Sequence, residues 1–145
     1  MTEKPVAAMI KQQFTLYMEN KPGELARITK KLAAERVNLE GISVANSGDV
    51  ALVQLVVRNA AATRRVLNRV GIPFTVQQVA LVPLPNRPGA LADIATQLGK
   101  AKVNINYVYA TSCDCGEGCN CMAVISAPDL KEVEEAWRKL SKAGK

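Results

Sequence analysis

The sequence contains no histidine, and only 4% of its 145 residues are aromatic. Without histidine, the chain has no imidazole general base, no Ser-His triad and no imidazole metal ligand. With so few aromatic rings, a hydrophobic core must consist largely of Val, Leu, Ile and Ala side chains. No stretch approaches the roughly 18 to 20 apolar residues of a membrane-spanning helix, and residues 1–5 do not resemble a secretory signal. We therefore expect a soluble globular protein of the cytoplasm.

Clustered positive charge is also missing, although Lys and Arg outnumber Asp and Glu by 19 to 13. The longest basic runs contain two residues each, at Lys30-Lys31, Arg64-Arg65 and Arg138-Lys139. Nucleic-acid-binding proteins usually concentrate basic residues on one face, often with aromatic side chains for stacking. The spread of charge favours a solvated surface, so we expect neither nucleic acid nor a membrane as a partner.

A six-residue motif occurs twice in the chain, 66 residues apart. Asn20-Lys21-Pro22-Gly23-Glu24-Leu25 returns as Asn86-Arg87-Pro88-Gly89-Ala90-Leu91. At the same spacing, Val37-Asn38-Leu39 returns as Val103-Asn104-Ile105. The apolar residues between the two motifs recur at steps of three and four in both copies, as in an amphipathic helix. The equal spacing indicates an internal duplication.

Each copy is predicted to contain a strand, a helix, two strands forming a hairpin and a second helix. In the first copy a fourth strand, at Ile72–Gln78, follows. This order is the ferredoxin-like split βαβ arrangement. We predict an α+β fold in which two ferredoxin-like βαββαβ (ACT-like) units, residues 12–78 and 79–145, share one antiparallel sheet with helices on one face. No fourth strand follows the last helix, so we expect Val6–Ile10 to supply that edge strand to the second unit, from the same chain or from a partner.

The helix ends are predicted from local signals. We expect the first helix of each copy at Glu24–Arg36 and Ala90–Lys102, with Pro22 and Pro88 placed where a first helical turn tolerates a missing N–H group.

The second helix of each copy is predicted to begin after Asn59 and after Asp129, which are suitable N-cap residues. One face of the last helix is apolar and is expected to pack in the core; it carries Leu130, Val133, Trp137 and Leu140.

The two Asn-x-Pro-Gly-x-Leu turns are candidate anion sites. Proline fixes φ, and glycine lets another backbone or a ligand approach closely. The helix that follows begins with unpaired N–H groups and a partial positive charge, which suit a carboxylate. The Asn side chain can bond the glycine amide or face a ligand. From the spacing alone, a turn that only caps the helix is the favoured interpretation.

Both copies resemble the ACT domain, a small module that senses amino acids and is attached to many enzymes of amino-acid metabolism. The resemblance rests on the two six-residue motifs and on the Asn-Leu and Asn-Ile pairs that open the second strands, and it covers roughly residues 12–141. It is greatest to stand-alone tandem ACT proteins, which carry no catalytic domain.

The resemblance implies that a small amino acid binds where two ACT units meet, against the second strand of the neighbouring unit. The residues that it assigns to this site are Asn20, Pro22, Gly23, Glu24, Leu25, Asn86, Pro88, Gly89, Ala90 and Leu91. Glu24 of the first turn is Ala90 in the second, and a carboxylate disfavours a ligand carboxylate unless it points away or pairs with the ligand amine. We therefore expect Asn86–Leu91 to be the better site.

All four cysteines lie within nine residues, at Cys113, Cys115, Cys119 and Cys121. In a cytosolic protein this spacing indicates metal or redox chemistry before structural disulfides. Two C-x-C arms across a glycine-bearing tip can present four sulfurs to Zn²⁺ or Cu(I). A thiol–disulfide switch and a hairpin tip without function are the alternatives. The cluster is not part of the ACT pattern.

The leading functional hypothesis is a non-enzymatic regulatory protein that binds a small amino acid at interfaces between ACT units. It requires no cofactor, is expected to form a homodimer and acts on a partner such as a regulated enzyme. Binding at an interface couples occupancy to the geometry of that interface. The alternative is a soft-metal or thiol-redox sensor that uses the hairpin at residues 113–121. Catalysis has the least support, because the sequence shows no paired-carboxylate motif and no phosphate-binding glycine loop.

Overall fold

The structure is a computed structural model that describes residues 7–111 and 120–143. The elements in this part of the chain are, in order, β1 (Met9–Glu19), α1 (Glu24–Ala34), β2 (Leu39–Ser47), β3 (Val50–Val57), α2 (Ala60–Val70), β4 (Phe74–Pro85), α3 (Ala90–Lys100), β5 (Tyr107–Thr111), β6 (Asn120–Ser126) and α4 (Leu130–Ala143). The strands are hydrogen-bonded in the order β2-β3-β1-β4-β6-β5. The predicted α+β class, with two ferredoxin-like units in an antiparallel sheet, is confirmed.

Two compact units divide the chain. One consists of Gln12–Gln77, and the other combines Met1–Lys11 with Gln78–Lys145. Both boundaries fall inside strands, one in β1 and one in β4. The end of β4 is therefore the first strand of the second unit, while its beginning is the last strand of the first unit.

The first unit builds its core between its strands, which include the beginning of β4, and the helices α1 and α2. β3 pairs with both β1 and β2, and alternate residues of each strand point to the helix side. Residues spaced three and four apart on α1 and α2 cover that side. The fully buried members of this core include Phe14, Leu16, Ile28, Leu32, Leu55 and Leu67.

The second unit repeats this packing. β6 pairs with both β4 and β5, and the helix side of these strands is covered by α3 and α4. Ala8, from the N-terminal segment of the same unit, also packs against this core. The fully buried members include Ala80, Val82, Ile94, Leu98, Ala123, Ile125 and Val133.

The predicted N-caps of the second helices are confirmed. The Oδ1 atom of Asn59 accepts a hydrogen bond of 3.0 Å from the amide of Ala62. The Oδ1 atom of Asp129 accepts one of 3.2 Å from the amide of Glu132. Each bond satisfies an N–H group that the helix itself leaves without an acceptor.

The first helix of each unit ends two residues before the predicted end. Arg36 and Lys102 adopt a left-handed backbone conformation, with φ of 58° and 59°. Beyond Arg36, the amide of Val37 bonds the carbonyl oxygen of Leu32 at 3.0 Å, and the same pattern follows Lys102. These are Schellman motifs, which terminate a helix and satisfy its last carbonyl groups. The sequence does not indicate these helix ends, because glycine usually occupies the left-handed position of a Schellman motif and here the residues are Arg36 and Lys102.

Among the described residues, no helix is long and apolar enough to cross a membrane.

The Asn59 cap offers a test of the fold. Replacing Asn59 with Ala removes the acceptor for the Ala62 amide and should lower the free energy of unfolding by about 1 kcal/mol. The matched control is Asn68→Ala, an exposed position within α2, where alanine is the better helix former and should leave stability unchanged or slightly higher. Urea denaturation measures both variants. Equal losses of stability in the two would contradict the assigned cap.

Candidate ligand site at the two Pro-Gly turns

The first turn is a tight reversal between β1 and α1. The carbonyl oxygen of Lys21 accepts a hydrogen bond of 3.4 Å from the amide of Glu24. Gly23 has φ of 88° and ψ of −13°, close to the angles of about +80° and 0° that the third residue of a type II turn adopts. Proline, here Pro22, is common at the second position of such turns. The sequence of the turn therefore matches its backbone geometry.

The second turn, between β4 and α3, has the same geometry. Gly89 has φ of 89° and ψ of −7°, and the corresponding hydrogen bond between the residues on either side of Pro88 and Gly89 is also 3.4 Å. The duplication thus extends from the residue types to the backbone dihedral angles.

In both turns the glycine is the N-cap, and each proline lies one residue before it. The prediction that Pro22 and Pro88 belong to the first helical turn is therefore wrong, because the positive φ of the glycines delays the start of the helix. A glycine N-cap has no side chain that can bond the first amides, and among the described residues no side chain caps them. The helix starts therefore present N–H groups that suit an anion.

Asn20 links the first turn to the β2–β3 hairpin. Its Nδ2 atom donates a hydrogen bond of 3.2 Å to the carbonyl oxygen of Gly48, and its backbone amide donates one of 2.8 Å to the carbonyl oxygen of Asp49. The side-chain bond uses the amide nitrogen and not the oxygen. Asn20 therefore holds the turn in place, and its contact with a ligand stays a prediction.

Two ion pairs surround the first turn. Glu24 accepts hydrogen bonds of 3.2 and 3.1 Å from the guanidinium group of Arg27, and Lys21 Nζ lies 2.7 Å from a carboxylate oxygen of Glu19. The hydrogen bond from Arg27 holds the pKa of Glu24 below its usual range. The hydrogen bond to Glu19 raises the pKa of Lys21. Because Arg27 balances its charge, Glu24 opposes a ligand carboxylate less than the sequence alone indicates.

The second turn carries a different set of charges. The Nη2 atom of Arg87 lies 2.7 Å from a carboxylate oxygen of Asp93, and its Nη1 atom donates a hydrogen bond of 3.2 Å to the carbonyl oxygen of Pro88. Asp93 stands at the position that Arg27 occupies in the first unit, and the buried Ala90 replaces Glu24. The repeat therefore conserves the backbone and changes the electrostatics.

Each turn borders concave surface. A cavity of about 260 Å³ adjoins the first turn, and the segment that joins α2 to β4 forms one of its sides. The second turn borders two cavities: one of about 480 Å³ towards the end of α4, and one of about 300 Å³ where Ala110 and Cys121 face the turn. Small-molecule sites usually measure about 300 to 1,000 Å³, so the second unit offers the roomier site.

Cys121 is the one cysteine of the predicted cluster that lies in the described part of the chain. It is a half-buried free thiol opposite Leu84 in the ladder between β4 and β6. Cys113, Cys115 and Cys119 lie outside the described residues. Within residues 7–111 and 120–143, no group of three or more His, Cys, Asp or Glu side chains is arranged to hold a metal ion.

Sequence reasoning missed Trp137 and Asp93 as residues of the second site. The apolar face of α4 does pack on the core, as predicted: Val133 is fully buried. Trp137 and Leu140 are only partly buried, however, and they also line the cavity of about 480 Å³. Aligning the copies at their spacing of 66 residues would have revealed that Arg27 becomes Asp93.

The fold and the duplicated turns define a pair of ACT domains. The family model for an ACT domain pair matches residues 9–132, and the chain belongs to this family.

Solved structures of similar fold agree with this assignment. Protein BT0572 from Bacteroides thetaiotaomicron is 25% identical, with 92% of this chain and 90% of that chain covered and a TM-score of 0.82. The ligand-free regulatory subunit of aspartate kinase from Thermus thermophilus is 15% identical, with 92% and 96% covered and a TM-score of 0.66. E. coli aspartokinase III, in complex with aspartate and ADP, is 15% identical, with 94% of this chain and 32% of that chain covered and a TM-score of 0.62. No curated protein gives a significant match.

The glycine conformations lead to a second prediction. Gly23→Ala and Gly89→Ala should each lower the free energy of unfolding by about 1 kcal/mol, because an alanine at φ near +90° is strained. The control is Gly99→Ala within α3, where nothing lies within 4 Å of the added methyl group and alanine should stabilise the helix by about 0.5 to 1 kcal/mol. Thermal and urea denaturation distinguish the two effects by their sign. Stabilisation by Gly23→Ala would show that the turn does not need glycine.

Proposed function

We propose that this protein is a regulatory, non-enzymatic ACT-domain pair that binds a small amino acid at its Pro-Gly turns. The observation that supports this most is the repeated helix start: a glycine N-cap at positive φ, with no capping side chain, in both units. The ligand carboxylate would accept hydrogen bonds from the amides of that first turn. The asparagines of the motif, Asn20 and Asn86, precede the glycines by three residues and are candidates for a further contact with the ligand.

We place each ligand at an interface between ACT units of two copies of the chain. Two pairs of apolar side chains are exposed at equivalent positions of the repeat: Leu25 with Leu91 beside the turns, and Ile42 with Val108 on the outer strands β2 and β5. We take the exposure of large apolar side chains at equivalent positions of both units as support for a contact with another molecule. A homodimer that buries them would bring an outer strand of one copy to the turn of the other.

The regulatory role follows from where the ligand would sit. A ligand held between two units binds one arrangement of the interface more tightly than another and so stabilises it. Such a difference in affinity between two conformations is what allostery requires. The fold shared with a regulatory subunit of aspartate kinase is consistent with action on a partner enzyme. No cofactor takes part in this proposal, and we expect the protein to work in the cytoplasm.

Calorimetric titration with each of the twenty amino acids tests the proposal. We expect saturable heat with at least one of them, together with a dimer in analytical ultracentrifugation. The double variant Ile42→Lys with Val108→Lys should weaken the dimer and the binding together, because two charges then face the interface.

The matched control is Ala34→Lys with Ala101→Lys, at exposed positions at the C-terminal ends of α1 and α3, away from the turns. This control should leave both assembly and affinity unchanged. The absence of heat and of any thermal shift with all twenty amino acids would overturn the proposed function.

We keep a second candidate function, a soft-metal or thiol-redox sensor, because Cys121 lines the cavity of about 300 Å³ beside the second turn. A ligand or an oxidant that engages this thiol would change the wall that faces Asn86 and Leu91. Zn²⁺ or Cu(I) held by Cys113, Cys115, Cys119 and Cys121 is the simplest form of this proposal.

Reduced protein purified without chelator should then contain one zinc or copper ion per chain, as measured by elemental analysis. Cys115→Ser with Cys119→Ser should remove that ion, because two of four thiolate ligands are lost. Ser112→Ala with Thr111→Ala is a control that leaves every sulfur in place. Wild-type protein that contains no metal would contradict the metal sensor. Four thiols that react alike before and after mild oxidation would contradict the redox sensor.

A further inference from the structure

The largest cavity beside either turn is the one of about 480 Å³ bounded by the end of β4, the start of α3 and the last turns of α4. We infer that it is a second binding site, specific for a neutral amino acid with a large apolar side chain. This goes beyond the proposed function, which places the ligand carboxylate on the turn amides at an interface between copies. It shares with that proposal only the class of ligand.

Trp137 forms a fixed apolar wall of this cavity. Its Nε1 atom donates a hydrogen bond of 2.7 Å to the carbonyl oxygen of Pro83, which holds the indole ring at the end of β4. The other apolar residues of the lining are Pro83, Leu84, Pro85, Ala90, Leu140 and Ala143. A rigid aromatic wall with aliphatic neighbours suits a branched or aromatic side chain, because such a surface loses little conformational entropy on binding.

The charged part of the lining is a single ion pair, and Ser141 is a further polar residue of the lining. Arg87 and Asp93 lie 2.7 Å apart, and both side chains are about half exposed. Their opposite charges stand side by side, as do the carboxylate and the ammonium group of a free amino acid. Arg87 can therefore bond the ligand carboxylate while Asp93 bonds its ammonium group. Because the pair is balanced, a ligand without net charge is favoured over an acidic or a basic one.

The equivalent cavity of the first unit shows that this arrangement is specific to the second. It measures about 260 Å³, and its lining holds Glu24 and Arg27 where the second unit has Ala90 and Asp93. The segment Val70–Pro73 borders it where the second unit has α4, and the aromatic residue of its lining is Tyr17 of β1 in place of Trp137. The duplication therefore offers a natural control: the first cavity is smaller and carries a carboxylate at Glu24, and the second is larger and has Ala90 at that position.

Fluorescence titration tests the inference, because Trp137 is the only tryptophan of the chain. The probes are leucine and phenylalanine, with aspartate and lysine as charged counterparts. We expect a saturable change of Trp137 emission with leucine or phenylalanine. The charged amino acids should give no such change at the same concentrations.

Two variants of the second unit locate the binding. Ala90→Glu recreates the carboxylate of the first unit's cavity and should abolish the fluorescence change. Asp93→Asn removes the partner of the ligand ammonium group and should weaken binding about tenfold or more, since a hydrogen bond between charged groups contributes about 1.5 to 3 kcal/mol. Asp93→Asn changes a half-exposed side chain, so it remains informative where Ala90→Glu does not fold. The matched control, Lys30→Gln with Lys31→Gln at exposed positions of α1 in the first unit, should leave the titration unchanged.

The outcomes separate this inference from the proposed function. Heat of binding without a change of Trp137 emission, or an unchanged affinity in Asp93→Asn, would overturn the second site and leave the proposed function intact. Binding of charged amino acids alone would do the same. Failure of all twenty amino acids to bind the wild-type chain would overturn both.

Discussion

A positive φ at Gly23 and Gly89 is the constraint on which both turns depend. It closes the type II turn after proline, and it places a residue without a side chain at the N-cap, so that no N-cap side chain accepts a hydrogen bond from the amides of the first helical turn. Most helices satisfy these groups with Ser, Thr, Asp or Asn, as α2 does with Asn59. At the two turns the chain keeps a conformation that other residues tolerate poorly, and it leaves polar groups open to an external acceptor.

On this shared backbone the two units have acquired different electrostatics. In the first, Glu24 and Arg27 bond each other and occupy the space beside the turn. In the second, Ala90 stands in place of Glu24 and leaves that space open. Asp93 stands in place of Arg27 and forms an ion pair with Arg87. The duplication thus preserved the main-chain hydrogen bonds and allowed the side chains to diverge. The chemistry offered to a ligand consequently differs between two sites of almost identical backbone.

Much of the fold was predictable, because its signals are local and occur twice. The glycine of each turn, the Asn59 and Asp129 caps and the periodicity of the helices depend on neighbours along the chain. The Schellman ends at Arg36 and Lys102 were not predictable, since basic residues stand there in place of glycine. The wall formed by Trp137 was missed for another reason: Pro83, its partner, lies 54 residues away, and the direction of a partly buried ring depends on packing.

The unit boundaries inside β1 and β4 restrict how this protein can change in length. Successive residues of a strand point to opposite faces, so one inserted residue near Gln78 would turn Ala80, Val82 and Leu84 away from their helices. Insertions are therefore tolerated in hairpin tips and not at the junction of the repeats. The chain is consistent with this rule: two residues separate β2 from β3, whereas eight residues, which include three of the cysteines, separate β5 from β6. Descendants of such a duplication are expected to vary in their hairpins and to share an invariant junction length.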